Sequence, residues 1–338
     1  MISAHPDASP LEFPLVAVLL VSGRTKPSWP TSAGHKSVHH RAWQAVTPDS
    51  IRAADYAVPT HPRNSPMERK PPTQGLSEVG LTALWVLHHR SVYLHDPVAE
   101  RVLRSIEGRQ ETLGPAMGRR TATMTHYFAQ RAALFDAEIR RFASRHSDPQ
   151  VVALGEGLET QFWRVDDERL RWISVDLPDV IRLRQTVMPP SERITHVACS
   201  VLDTRWMDQA RCDRPLLITA QGLFMYLRSR EVTELLRACA HRYPGSTFLF
   251  DTSPWWFLAL SRVGGVRCGQ FRIPPMRSSL SPAGLARLRS RLPAGTSVTH
   301  VPAQKSRGPF RVFHRYGHRI PLVSGCVPAT VRIRFPGE

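Results

Sequence analysis

The feature that most constrains the fold of this sequence is a regular alternation of short apolar runs with helical segments from residue 146 onward. Strongly apolar strands separated by helices are typical of a mostly parallel sheet that is covered on both faces. We therefore predict an α/β fold of the Rossmann-like kind, with helices on both faces of the sheet. The five runs read QVVALG, RWISVD, ITHVACS, PLLITA and STFLFD.

The two ends of the chain follow other patterns. Residues 1–66 hold nine prolines without a sustained period, which we interpret as a disordered extension that an upstream start codon would produce. Residues 67–145 are predicted to form a helical cap, because Phe128, Phe135 and Phe142 recur at helical spacing. Residues 146–338 would form the α/β core with insertions on the acceptor side. At its end, 319–326 and 329–335 predict an antiparallel hairpin.

The apolar stretches are too short for a membrane span. The best candidate, residues 13–21, has nine residues, whereas a span needs about 20. Asp7 and Glu12 precede this stretch and no basic residue does, so a secretory leader is not expected either. Five cysteines without C-x-x-C spacing indicate reduced thiols rather than a disulfide framework. We expect a cytoplasmic protein that binds no membrane; the sequence does not indicate its oligomeric state.

The net charge of +17 is concentrated towards the C-terminus. From Arg262 onward there are fourteen lysines or arginines against a single acid, Glu338. Such an excess can indicate an anionic partner. The region matches no nucleic-acid-binding motif, however, so we interpret the excess as a preference for arginine and do not expect a nucleic-acid partner.

A Gly-x-Gly turn follows the first predicted strand. Gly155 and Gly157 permit a positive φ and a close approach of the backbone to a ligand. A dinucleotide site would have a third glycine where Thr160 stands, and the charges of Glu156 and Glu159 would repel a pyrophosphate. The turn therefore favours a nucleoside cofactor without phosphate, such as S-adenosylmethionine.

An acid at the end of the second strand supports a nucleoside site. Asp176 lies nineteen residues after Gly157, where a carboxylate can accept hydrogen bonds from ribose hydroxyls. This feature is shared by sites for nicotinamide dinucleotides and for S-adenosylmethionine. A tight turn beside a solvated aspartate is the alternative interpretation.

These residues carry a resemblance to a known family. The stretch VVALGEGLETQFWRVDD, followed by LRWISVDLPDVIRLR, resembles the leucine carboxyl methyltransferase family, which includes bacterial polyketide-type O-methyltransferases. LLITAQGLFMYL at 216–227 resembles a later family motif, and LTALWVLHHR and LHDPVAERV resemble its N-terminal region. The resemblance covers residues 76–255 approximately.

The resemblance implies a class I methyltransferase fold with S-adenosylmethionine as the methyl donor. The backbone around Gly155 and Gly157 would then face the methionine part of the cofactor, and Asp176 would hold the ribose. Arg131, on the helix before the first strand, would pair with the cofactor carboxylate through two parallel hydrogen bonds. Arg90 is a second candidate for that role, and an arginine beside an apolar stripe is the structural alternative for Arg131.

The sequence departs from the family pattern on the adenine side. Ser200 and Val201 stand where the family usually has an Asp-Leu pair, and Asp203 is a candidate substitute. Gln221 replaces the family's glutamate after the fourth strand. Both changes remove an acid, which motivates the hypothesis of a non-catalytic homologue that keeps the fold and binds without catalysis.

Our preferred prediction is an O-methyltransferase that acts on a hydroxyl or carboxyl group of a small, polyketide-like molecule of secondary metabolism. Methylation of a protein's C-terminal carboxyl group is the alternative within the same class. No catalytic base is assigned, although His126 and the His88–His89 pair are candidates. No metal site is predicted. Trp255, Trp256 and Phe257 would either wall an acceptor pocket or pack a helix onto the sheet.

Overall fold

The computed structural model describes residues 78–107, 120–264, 266–268, 271–302 and 328–337. All of them belong to one compact unit. The predicted extension over 1–66 lies outside the described residues. The division between a cap over 67–145 and a core over 146–338 stays a prediction.

Helices and strands alternate along the chain as the apolar runs predicted. The helices are α1 Glu78–Leu94, α2 Pro97–Glu107, α3 Ala122–Ala143, α4 Gln161–Val165, α5 Pro178–Val187, α6 Ser229–Arg242, α7 Trp255–Arg262 and α8 Pro282–Arg289, with 3-10 turns at Thr204–Gln209 and Phe224–Tyr226. The strands are β1 Gln150–Leu154, β2 Arg171–Asp176, β3 Ile194–Ala198, β4 Leu216–Ala220, β5 Thr247–Thr252, β6 Arg267–Cys268, β7 Phe271–Arg272, β8 Ser297–Val301 and β9 Ala329–Arg334.

The main sheet has seven strands in the order β3-β2-β1-β4-β5-β9-β8. The first five pair in parallel, and β9 runs antiparallel to both of its neighbours. The strands β1 and β4 are buried along their whole length because helices cover both faces of the sheet. The predicted fold class, a mostly parallel Rossmann-like sheet with a C-terminal antiparallel pair, is confirmed.

The last strand, β9, lies between two other strands of the main sheet. β9 pairs with Ser297–Val301 on one side and with Thr247–Thr252 on the other, over its whole length. Both edges of β9 are therefore occupied by these two strands. The predicted strand at 319–326 and the turn at Gly325 lie outside the described residues. A strand pattern in the sequence identifies a strand but does not identify its neighbour.

The predicted apolar stripe of α3 joins the cap helices to the sheet. Phe128 packs among side chains of α1 and α2, including Trp85. Phe135 and Ile139, about two and three turns further along, pack on β1 beside Val151. One helix therefore fixes the cap relative to the carboxyl ends of the strands, where ligands bind in sheets of this kind.

Among the described residues, no helix combines the length and the apolar character that crossing a bilayer requires. Of the cysteines in this part of the chain, Cys199 and Cys239 are buried and Cys212 is exposed, and all three are free thiols.

Candidate active site

A cavity of about 280 Å³ lies at the carboxyl ends of β1, β2 and β4. The strand order reverses between β1 and β4, so the cavity occupies the topological switch point of the sheet. Side chains of α1 and α3 close it from the cap side. Seven of the eight residues predicted to bind the cofactor line this cavity: Arg131, Gly155, Gly157, Asp176, Ser200, Val201 and Gln221.

The eighth residue, Asp203, is not among the lining residues. It caps the 3-10 turn that begins at Thr204 and forms an exposed ion pair with Arg205 at 2.6 Å. Ser200 is exposed at the rim, and its hydroxyl accepts a hydrogen bond from the backbone N–H of Leu202. The structure therefore does not bring Asp203 together with the other seven.

Both glycines of the turn adopt backbone conformations that other residues rarely take. Gly155 has φ +60° and Gly157 has φ +57°. A Cβ atom on Gly155 would lie 2.8 Å from Cδ1 of Leu223, and one on Gly157 would lie 2.9 Å from Cβ of Ala83. Glycine is required here both for the positive φ and for the close approach of α1 and of the segment that follows β4. The turn presents bare backbone to the cavity.

Asp176 fixes the turn through two backbone hydrogen bonds. Its Oδ2 accepts from the N–H of Gly157 at 2.6 Å, and its Oδ1 accepts from the N–H of Leu177 at 2.7 Å. Burial raises the pKa of Asp176, and these two bonds oppose the rise. Each carboxylate oxygen offers two lone pairs, so each can accept one further hydrogen bond from a ligand hydroxyl.

Glu159 is not the free charge that the sequence suggested, because two arginines pair with it. Its Oε1 lies 2.7 Å from Nη1 of both Arg90 and Arg164, and all three groups are buried. Although burial opposes the effect, Arg164 and Arg90 lower the pKa of Glu159 to about 2. Asp96 and Asp136 complete the cluster by pairing with Arg164 at 3.0 and 2.8 Å.

Glu156 is also paired below the cavity surface. Its Oε2 lies 3.0 Å from Nη2 of the fully buried Arg184, and its Oε1 accepts a hydrogen bond from the indole of Trp172 at 3.1 Å. Burial raises the pKa of Glu156 to about 7, against the lowering effect of Arg184. The argument against a pyrophosphate therefore depends on the missing third glycine alone, and not on the two glutamates.

The same arginines shape the turn itself. Arg184 donates to the carbonyl oxygens of Gly157 at 2.7 Å and Glu159 at 2.9 Å, and Arg90 donates to the carbonyl oxygen of Leu158 at 2.8 Å. These three carbonyl groups lie outside helices and strands, and the arginine side chains provide the hydrogen-bond donors that they need. Arg90 consequently supports the turn, and its guanidinium is already engaged there.

Arg131 projects from α3 into the cavity beside β4 and β5. Its Nη1 pairs with Oδ2 of Asp251 at 3.1 Å, and the other oxygen of that acid accepts from the N–H of Gly222 at 2.5 Å. Although burial opposes the effect, Asp251 raises the pKa of Arg131. Among the described residues, Nε of Arg131 is buried without a hydrogen-bond partner.

Gln221 connects the fourth strand to the acid cluster. Its amide nitrogen donates to Oε2 of Glu159 at 3.0 Å, and its amide oxygen accepts from Gln161 at 2.9 Å. A glutamate at this position would place a second carboxylate against Glu159. The amide avoids that repulsion, which gives the departure from the family pattern a local physical reason.

None of the predicted histidine bases lines the cavity. His126 is exposed, and Nδ1 of the buried His89 contacts the carbonyl oxygen of Trp85 at 3.0 Å. Two phenols that the sequence analysis missed, Tyr127 and Tyr226, do line it, and burial raises the pKa of each to about 12. Both are neutral hydrogen-bonding groups at physiological pH.

The remaining wall of the cavity is apolar. Phe257 lines it, as one of the two interpretations of 255–257 expected, whereas Trp255 is exposed and does not. Within the described residues no cluster of His, Cys, Asp or Glu could hold a metal ion. The other apolar lining side chains include Val86, Leu223, Met225, Ile273 and Met276.

Comparisons with known proteins identify the family of the chain. Residues 78–240 match the leucine carboxyl methyltransferase family. The chain is 30% identical over 201 residues to the tetracenomycin polyketide synthesis O-methyltransferase of Streptomyces glaucescens. The aligned region covers 54% of this chain and 72% of that protein. It is 30% identical over 131 residues to an S-adenosyl-L-methionine-dependent methyltransferase of Gibberella zeae, over 36% of this chain and 44% of that one.

Among solved structures, an O-methyltransferase family protein from Burkholderia thailandensis aligns with a TM-score of 0.39 at 15% identity, over 72% of each chain.

Proposed function

Because the chain belongs to the leucine carboxyl methyltransferase family, we propose that it methylates a hydroxyl or carboxyl group of a small, polyketide-like acceptor. It is an S-adenosylmethionine-dependent O-methyltransferase. The observation that carries the proposal is the cavity at the switch point, whose lining combines a polar glycine turn with an apolar wall. A role in secondary metabolism and a cytoplasmic location stay predictions.

The polar side of the cavity fits the cofactor. Asp176 would accept hydrogen bonds from the ribose hydroxyls, since each of its oxygens has made only one of the bonds it can accept. The positive φ values of Gly155 and Gly157 leave room for the methionine part against the backbone. Arg131 would bind the cofactor carboxylate with its guanidinium, which lines the cavity, while Asp251 holds its Nη1.

The adenine would lie near Ser200 and Val201, which follow β3, whereas Arg131 pairs with Asp251 of β5. Val201 is buried and offers an apolar surface, while the Ser200 hydroxyl can donate to a ring nitrogen. Neutral contacts would then replace the acid of the family pattern. Asp203 would take no part, because its carboxylate is engaged by Arg205.

The apolar side would hold the acceptor and exclude water. Bound S-adenosylmethionine supplies an activated methyl group, so alignment of the acceptor oxygen is the main demand on the protein. Tyr127 and Tyr226 would orient that oxygen as neutral hydrogen-bonding groups. Neither is a strong base near pH 7, which favours an acceptor that ionises by itself, such as a carboxylic acid or an acidic phenol.

A calorimetric titration tests the cofactor assignment. We expect Asp176→Asn to weaken S-adenosylhomocysteine about tenfold to hundredfold, since hydrogen bonds to a charged acceptor contribute about 1.5–3 kcal/mol. An analogue without the 2′ and 3′ hydroxyls separates this role from a collapsed turn, because the variant should bind it as the natural chain does. Asp213→Ala, an exposed acid outside the cavity, is the control.

Equal losses for both ligands would show that Asp176 only supports the turn. For the reaction, the chain is incubated with S-adenosylmethionine and matched aromatic acceptors that carry a carboxyl group, a phenol or neither. Release of S-adenosylhomocysteine with formation of a methyl ester or methyl ether is the expected result. Binding of the cofactor without turnover on either acceptor class would instead support the non-catalytic homologue.

A further inference from the structure

A second cavity lies at the opposite end of the sheet from the methyltransferase site. It has a volume of about 350 Å³ and opens at the amino ends of β4 and β5. Leu216 and Leu217, at the start of β4, form part of its floor, whereas Thr219 near the end of that strand lines the first cavity. We call this second cavity the basic cleft; its charged lining residues are Glu138, Arg141, Arg145, Arg332 and Arg334.

The basic cleft carries an excess of positive charge. Four guanidiniums face a single carboxylate, and two of them share it: Glu138 Oε2 lies 2.7 Å from Arg141 and 3.0 Å from Arg332. Within the part of the chain that the structure describes, Arg145 and Arg334 form no ion pair. The local charge is therefore unbalanced: Arg145 and Arg334 are exposed at the mouth of the cleft, and only Arg332 is largely buried.

Arg332 shows that the guanidiniums converge. Its side chain is 16% exposed, and among the described residues its Nε is buried without a hydrogen-bond partner. Burial lowers the pKa of Arg332, Glu138 raises it, and Arg141, Arg334 and Arg145 lower it further. Arginines this close to one another repel each other unless an anion lies between them.

A favourable interaction with a helix dipole explains only two of the four arginines. Arg141 and Arg145 lie at the C-terminal end of α3, where cations interact favourably with the helix dipole. Arg332 and Arg334 lie on β9, and a strand has no helix dipole that would stabilise them. Both line the same cavity as the arginines at the end of α3. Guanidiniums from two separate elements thus line one cavity.

We propose that the basic cleft binds a phosphate-bearing small molecule. Guanidinium forks match phosphate oxygens with two parallel hydrogen bonds each, and several forks suit a dianion better than a single carboxylate. The floor of Leu216, Leu217 and Leu249, with the ring of Phe142 beside His146, would hold an apolar body attached to the phosphate. The site is separate from the methyl-transfer cavity and does not depend on the function proposed for it.

The test is a titration of the full chain with inorganic pyrophosphate and with phenyl phosphate. We expect both to bind, and the double variant Arg145→Gln/Arg334→Gln to bind each at least about tenfold more weakly, since two charge-assisted contacts are lost. Neither arginine forms an ion pair in the described residues, so the variant should fold as the natural chain does. Arg287→Gln/Arg289→Gln, on the exposed side of α8, removes the same charge elsewhere and should change neither affinity.

Saturation with S-adenosylhomocysteine should leave phosphate binding unchanged, and raised salt should weaken it. The proposal is overturned if neither phosphate binds at millimolar concentration, or if both double variants lose affinity equally. It is also overturned if S-adenosylhomocysteine displaces the phosphates, since they would then occupy the first cavity. Tight binding of a mixed-sequence oligonucleotide without binding of the small phosphates would assign the charge to nucleic acid instead.

Discussion

Replacement of Glu156 by glutamine should remove a distinct part of the pH dependence of stability. This carboxyl group is buried against Arg184, and its pKa rises from an ordinary value of 4.5 to about 7. The unfolded chain would ionise it near 4.5, and the folded chain only near 7. Its contribution to stability is therefore complete below pH 4.5 and is lost as the pH rises through 7.

The magnitude follows from the size of the rise in pKa. At about 1.4 kcal/mol for each pH unit, a rise from 4.5 to about 7 corresponds to about 3 kcal/mol in the free energy of unfolding. Glu156→Gln cannot ionise, so its stability should lack this decline. Other acids, including Glu159, are present in both proteins. Their contributions to the pH dependence of the free energy of unfolding therefore cancel when the two proteins are compared.

Urea unfolding at half-unit steps between pH 4.5 and 8 measures this difference. The gap between Glu156→Gln and the natural chain should shift by about 3 kcal/mol in favour of the variant as the pH rises. Glu168→Gln, at an exposed position, serves as the control and should run parallel to the natural chain. Parallel curves for Glu156→Gln would refute the reasoning, because they would show that the buried pair ionises as it does in water.

Three other substitutions test the site. Arg131→Lys keeps the charge but loses the guanidinium fork, so calorimetry should show S-adenosylmethionine binding about tenfold more weakly. Gly157→Ala should cost about 1–2 kcal/mol for its positive φ and more for the contact with Ala83, measured by urea unfolding. Thr160→Val should cost about 2–3 kcal/mol, because its buried hydroxyl accepts from Arg90 at 3.0 Å and Arg164 at 2.7 Å.

Each of these has an internal control. In an Ala83→Gly background the cost of Gly157→Ala should fall to the backbone part alone; an unchanged cost would exclude the steric contact. Thr233→Val removes an exposed hydroxyl from α6 and should change stability little. If Arg131→Lys binds the cofactor as tightly as the natural chain, the carboxylate role of Arg131 is wrong.

Local patterns predicted much of the fold and of the candidate site. The apolar runs predicted the five parallel strands, of which β1 and β4 are buried along their whole length and β3, at the edge of the sheet, is only partly buried. Seven predicted residues share one cavity because the glycine turn and Asp176 follow adjacent strands, whose carboxyl ends meet at one edge of the sheet. The roles given to those residues stay predictions.

Pairings between distant residues could not be predicted in the same way. Arg131 and Asp251 are 120 residues apart in the sequence, and Gln221 and Glu159 are 62 apart. Nothing in the local pattern around an arginine indicates which acid it will contact. The acids of the glycine turn were for this reason interpreted as free charges, although buried guanidiniums neutralise them.

The sequence by itself determined the alternation of strands and helices, the glycines that the turn requires, and the acid at the end of the second strand. Each of these depends on residues within one or two elements, where backbone sterics and apolar periodicity act. Only the tertiary structure decided that β9 lies between β5 and β8, that arginines lie beneath the turn, and that Arg332 and Arg334 face Arg141 and Arg145 across a cleft. Those outcomes depend on which surfaces meet when the sheet and its helices pack together.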